Sequence, residues 1–139
     1  RVKKGSQLLS LARDFGLSVT PLDERVPVLL HGPVGAEILR RDFQIRDEEV
    51  LEAVRCHTIG KAGMGAVARV LYLADKIEPS KDARYPFNSE VRELAGKDLD
   101  RAILKFIDCE VSALISRGEL VHPSTIEARN HLLVELRRL

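Results

Sequence analysis

Cysteine is scarce in this sequence: Cys56 and Cys109 are the only two among 139 residues. They lie far apart and form no CxxC spacing, so both read as free thiols, and the expected compartment is a reducing one, the cytoplasm. No apolar run approaches the length of a membrane span, and no secretory signal pattern is present. A membrane partner is therefore not expected. An excess of one charge sign is also missing. Lys and Arg number 22 against 21 Asp and Glu, a formal net charge of +1. A nucleic-acid interface normally needs a clear basic excess, so nucleic acid is not an expected partner, although a small phosphate-binding patch remains compatible with this balance. Strand-type alternation, internal repeats and low-complexity linkers are absent too.

What is present is ordinary for a globular domain: 45% hydrophobic and 31% charged residues, in a chain long enough for one real core. Helical periodicity runs almost throughout. "SQLLSLARDFGL" spaces Leu8, Leu9, Leu11, Ala12 and Phe15 as a helix that Gly16 stops. "SVTPLDERVP" reads as a loop punctuated by Pro21 and Pro27. Pro33 fits the first turn of a helix running to about Phe43. Asp47 is the candidate N-cap of the next helix, with Glu48 and Glu49 near its positive end. "AVARVLYLADKI" is closed by Pro79, and "SEVRELAG" is a short helix ended by Gly96. The longest helix is expected over about Asp98 to Arg117, burying Ile103, Phe106, Ile107, Val111 and Leu114. The last helix opens either with Pro123 at its first position or with Ser124 and Glu127 at capping-box spacing. The expectation is a single all-α domain of six or seven helices.

With only four histidines in the chain, each position carries information. Val50, Val54 and His57 fall at i, i+4 and i+7, so His57 takes a place where the pattern expects a core residue. Asp75 follows Leu71 by four residues, and a carboxylate near a buried face is costly unless it is paired or holds a cation. His31 stands at a helix start beside Gly32, Gly35 and Ala36, small residues that permit a close approach of backbone or ligand. Imidazole with carboxylate suits iron, manganese, zinc and similar ions. A lone histidine near a core also reads as a hydrogen-bonded structural residue, and Asp75 also reads as a helix end held by Lys76 or Arg69. His122 and His131 read as capping or surface residues. Cys56 points about 100° away from His57 on the same helix and reads as packing.

"HTIGKAGMG" places Gly60, Gly63 and Gly65 in a loop whose exposed amides and Lys61 could meet phosphate. It lacks the GxxxxGK[ST] order of a P-loop, and it also reads as a simple connection.

The segments "LLHGPVGA", "CHTIGKAGM", "YLADKIEP" and "HPSTIEARNHLL", in this order over nearly the whole chain, resemble the YqeK family of HD-domain hydrolases. The resemblance implies a helical HD domain with a divalent metal centre, iron first, then manganese or another transition metal. It implies symmetrical cleavage of a dinucleoside polyphosphate, diadenosine tetraphosphate into two nucleoside diphosphates, ADP. His31, His57 and Asp75 match the family's metal ligands. Thr58, Lys61, Lys76, Arg84, Arg129 and Asn130 are the implied substrate contacts.

The family's namesake His-Asp pair lies just before the segment matching "LLSLARDFGL", with a further ligand histidine earlier still, and those positions fall before Arg1. The sequence contains no His-Asp dipeptide. Three of six implied ligands are therefore present, and the expectation is an N-terminally incomplete HD domain, a C-terminal portion of the complete one. The metal would lower the pKa of a bound water for direct attack on an inner phosphorus, with Lys61, Lys76 or Arg84 offsetting the developing charge. No nucleophilic Ser or Cys constellation is present. The alternative reading is a non-catalytic nucleotide-binding or assembly module that has lost part of its metal site. The apolar faces of the helices bearing His31 and His57 are expected to stand open, to be covered by homo-oligomerisation or by residues preceding Arg1.

Overall fold

The computed structural model describes residues 4–138. Eight α-helices run in order among them: α1 (Gly5–Asp14), α2 (Pro21–Arg25), α3 (His31–Asp42), α4 (Glu48–Cys56), α5 (Ala66–Ile77), α6 (Asn88–Ala95), α7 (Leu99–Ser116) and α8 (Pro123–Arg138). Short 3-10 turns at Pro27–Leu30 and Pro79–Lys81 complete the chain, and no strand occurs among the described residues.

The expected elements form where local chemistry dictates. The Asp47 carboxylate accepts from the backbone N–H groups of Glu49 and Val50 and opens α4, satisfying donors that a helix start leaves free. Asp98 does the same for α7 through Arg101 N–H. Gly16 follows α1 with φ of 71°, the left-handed conformation that favours glycine.

One element differs from the expectation. The segment read as a loop holds α2, because Thr20 and Asp23 exchange hydrogen bonds in a capping box directly before and within it. The last helix opens with Pro123 at its first position, one of the two expected starts, and His122 caps it as read, its Nδ1 accepting from Ser124 N–H at 3.1 Å.

The main core gathers Tyr72 and Leu73 of α5, Val91 of α6, Ile103, Phe106 and Ile107 of α7, and Ala128 and Leu132 of α8. Phe106 sits at its centre, with the rings of Tyr72, Tyr85 and Phe87 meeting it edge-on at 6.3, 5.1 and 5.5 Å, an arrangement favoured by the ring quadrupoles. On the expected α7 stripe, Val111 and Leu114 are only half-buried. A smaller cluster joins Leu8 and Ala12 of α1 to Leu30 and Val34. The apolar residues of α3 are thus covered by α1. The face of α4 stands open as expected, and it continues onto α5: Val50, Val67 and Val70 are exposed along a shallow groove floored by Ala53, Val54 and Leu71.

Arg69, on α5, binds three elements at once. Its guanidinium donates to the carbonyl of Met64 in the glycine-rich loop, to Asp100 on α7 and to Glu135 on α8, each at 2.8 Å.

Candidate metal centre and adjoining cavity

Helices α3 and α4 bring His31 and His57 together. His31 is the first residue of α3, and His57 directly follows the last residue of α4. The two helices meet backbone to backbone at Gly32: a Cβ placed there would lie 2.6 Å from the carbonyl oxygen of Arg55 and 3.1 Å from that of Val54. Glycine is the residue that permits this approach.

The two rings stand edge to face, with centroids 4.8 Å apart and Nε2 atoms 3.0 Å apart. Nδ1 of His31 lies 2.6 Å from the carbonyl of Val28, and Nδ1 of His57 lies 2.5 Å from the carbonyl of Val54. A carbonyl only accepts, so each Nδ1 carries the proton and donates. In the neutral tautomer each Nε2 is then a lone pair, and the two lone pairs aim at one region. This is the arrangement in which a backbone carbonyl orients a metal-binding imidazole. Burial pushes the His57 imidazole below its ordinary pKa, with the neighbouring His31 and Lys76 adding to the effect. The Thr58 hydroxyl sits 3.1 Å from His31 Nε2. The chemistry of the donor pair therefore fits a transition-metal cation.

Asp75 is the third expected ligand, and the structure gives its carboxylate other partners. Oδ1 accepts from Lys81 Nζ at 2.7 Å and Oδ2 from Lys76 Nζ at 3.1 Å; Lys81 also donates to the Asp75 carbonyl. Burial pushes this carboxyl up, but the hydrogen bond from Lys81 and the charge of Lys76 outweigh it and hold it below the usual range. Lys76 Nζ in turn donates to the His57 carbonyl at 2.8 Å, so Asp75 is tied to the histidine pair through an ammonium. No group of three or more His, Cys, Asp and Glu side chains close enough to hold an ion occurs among the described residues.

The other sequence candidates fall in three places. Lys76 is 5% exposed and its ammonium is already bonded; burial lowers its pKa against the opposing pull of Asp75. Thr58 and Arg84 line a cavity of about 350 Å³ next to the histidine pair. Lys61 is exposed and paired with Glu52 at 3.2 Å, while Arg129 is paired with Asp108 and hydrogen-bonded to the exposed Asn130. Gly60 and Gly63 adopt φ of 74° and 72° in the glycine-rich loop. Cys56 is buried, and burial raises its thiol pKa, as befits a packing residue.

Sequence reasoning missed Glu110 and His122, which share the cavity with Thr58 and Arg84. Burial pushes the Glu110 carboxyl above its ordinary value, with Lys76 opposing. A glutamate on the inner side of α7 was the available signal, since an acidic side chain there needs a reason.

An all-helical chain with an imidazole pair at converging helix ends has the architecture of the HD domains, and the chain belongs to that family: the HD-domain profile matches residues 10–80. It is similar to the symmetrical bis(5'-nucleosyl)-tetraphosphatase of Bacillus subtilis, 38% identical over 107 residues that cover 77% of this chain and 56% of that protein. The protein of the same name from Staphylococcus aureus is 34% identical over 105 residues, covering 74% of this chain and 53% of that one. The chain thus spans about half the length of these curated relatives. The crystal structure of a predicted HD superfamily hydrolase involved in NAD metabolism from Clostridium acetobutylicum superposes with a TM-score of 0.88 at 32% identity, over 95% of this chain and 69% of that one.

Proposed function

We propose that this chain acts within a metal-dependent phosphohydrolase that splits dinucleoside tetraphosphates symmetrically, diadenosine tetraphosphate into two ADP. The observation that carries the reading is the pair of Nε2 atoms 3.0 Å apart, both rings anchored through Nδ1. The names of the curated relatives support the substrate. His31 and His57 would hold a divalent cation, iron or manganese, with Asp75 as the anionic ligand beside them. Such an ion supplies Lewis acidity and a bound water of lowered pKa. Thr58 orients His31 and faces the cavity. Arg84, at the cavity wall, places positive charge where a phosphate chain would run, and Lys61 offers a second cation from the glycine-rich loop. Arg129 and Asn130 would serve as contacts for the distal end of the substrate. Lys76 acts through Asp75, by holding its carboxylate, rather than by touching substrate.

The sequence has no His-Asp dipeptide, and the complete site in this reading draws further ligands beyond His31, His57 and Asp75. The engagement of Asp75 by two lysines favours a second reading, a non-catalytic nucleotide-binding or assembly module. One experiment separates them. The chain, and a version extended at its N-terminus by the encoded residues, are incubated with diadenosine tetraphosphate and Mn²⁺ or Fe²⁺, and products are resolved by chromatography. ADP as the sole product from the extended protein supports the hydrolase. An extended, metal-loaded protein that leaves the substrate intact replaces it with the binding module.

A further inference from the structure

Asp75 carries two ammonium groups that are held in different ways. Lys76 is 5% exposed. Its Nζ donates to the His57 carbonyl at 2.8 Å and to Asp75 Oδ2 at 3.1 Å, and it lies 4.9 Å from the centre of the Tyr72 ring. Three neighbours from different parts of the fold therefore fix it in the interior. Lys81 reaches the same carboxylate from outside. It ends the short turn Pro79–Lys81, and its side chain is 35% exposed. Its ammonium donates to Asp75 Oδ1 at 2.7 Å and to the Asp75 carbonyl, so among the described residues its hydrogen bonds go to one residue alone.

The two oxygens of Asp75 are thus unequal. Oδ2 is tied through Lys76 to the backbone at the end of α4, whereas Oδ1 is closed by a single half-exposed side chain. An ammonium and a divalent cation both seek the lone pairs of a carboxylate oxygen, and their like charges repel at contact distance. The charge of Asp75 is felt at His57, where it pulls the imidazole pKa up against burial, so the carboxylate stands close enough to the histidine pair to serve the same ion. We propose that Lys81 is a displaceable internal counter-ion: it closes Asp75 Oδ1 until a divalent cation on His31 and His57 takes that oxygen in its place, while Lys76 keeps the carboxylate oriented through Oδ2. The released ammonium then stands beside the ion, available to an anionic ligand. The inference rests on the reading of His31, His57 and Asp75 as the residues that hold the metal. It adds a competitor within the chain and assigns the two lysines opposite tasks, Lys76 positioning and Lys81 yielding.

The test reads metal binding rather than hydrolysis. The affinity of the chain for Co²⁺ alone is measured by calorimetry, with the visible absorption of the ion reporting its ligand set. K81M should bind Co²⁺ about two- to fivefold more tightly than the native chain, the range of an exposed ion pair that no longer has to be broken. K81R restores the charge and should return the native affinity. In the D75N background the K81M effect should vanish, because there is no carboxylate left to compete for, whereas a mere field of the ammonium on the ion would persist there. Circular dichroism and melting verify the fold of each variant. K81M binding no tighter than the native chain, an undiminished K81M effect in D75N, or no Co²⁺ binding by either the native chain or K81M overturns the inference. Hydrolysis of diadenosine tetraphosphate by the extended protein alongside an unchanged affinity in K81M would remove the role of Lys81 and leave the enzyme reading intact. An Asp75-dependent tightening without hydrolysis by the extended protein would do the reverse.

Discussion

Nε2 of His31 and Nε2 of His57 face each other at 3.0 Å, each on a ring whose other nitrogen is held by a backbone carbonyl. Two neutral imidazoles so placed aim both Nε2 lone pairs at one region, and burial of His57 disfavours its protonated form. Added Co²⁺, Mn²⁺ or Zn²⁺ should therefore raise the melting temperature of the chain by selective binding to the folded state. H31A or H57A should each abolish that rise, while H131A, on the last helix, should leave it unchanged. A metal response that survives both H31A and H57A would place the ion elsewhere.

Gly32 sets the spacing of α3 against α4. A methyl group there would lie 2.6 Å from a backbone carbonyl, an obstacle that no side-chain rotation removes. G32A should cost about 1–3 kcal/mol of stability, the usual scale of overpacking, and should also weaken the metal-induced melting shift because the two rings move apart. Chemical denaturation with and without Co²⁺ reads both effects. A G32A protein as stable and as metal-responsive as the native one would show that the helices separate at no cost.

The Glu110 carboxyl is raised by burial, so in the pH range above the unfolded glutamate value the folded state holds more protons than the unfolded one. Stability from this group is then fully present at low pH and is lost as pH rises through the folded value. E110Q has no charge to bury. It should melt a few degrees above the native chain at pH 7, with the difference shrinking as pH falls toward 4. A difference that grows on acidification would mean that ion pairing, rather than burial, governs Glu110.

Tyr72 is fully buried and its hydroxyl has no hydrogen-bond partner among the described residues. Removing an unsatisfied buried hydroxyl while keeping the ring should be neutral or favourable, up to about 1 kcal/mol. Y72F should therefore shift the urea midpoint upward or leave it in place. A loss of more than about 1 kcal/mol would reveal an ordered water satisfying the group.

Periodicity made α1, α4, α5 and α7 legible because each buries one stripe; His57 was legible because it interrupts such a stripe, and His31 because it stands at a helix start among small residues. α2 was not, since two prolines outweigh five residues of pattern and the capping box of Thr20 and Asp23 acts over a single turn. One reading of the sequence already paired Asp75 with Lys76, but the hold of Lys81 on Asp75 was hidden. Lys81 reaches it only because the chain turns at Pro79–Lys81, and Lys76, an apparent candidate for phosphate, is turned inward onto Asp75 and the His57 carbonyl. Spacing from Phe106 and Ile107 places Glu110 on the inner side of α7, but its partner Tyr85 came only with the tertiary packing.

The hold of Arg69 on the Met64 carbonyl changes what the glycines after His57 signify. Gly60 and Gly63 supply dihedral angles that a Cβ would oppose, and the segment they shape is moored to α7 and α8 through the same guanidinium. Its abundance of glycine therefore records a demand for shape rather than a licence to wander. A ligand that bound this segment would meet a backbone whose ordering entropy was surrendered during folding, and the association step would have little of that entropy left to lose.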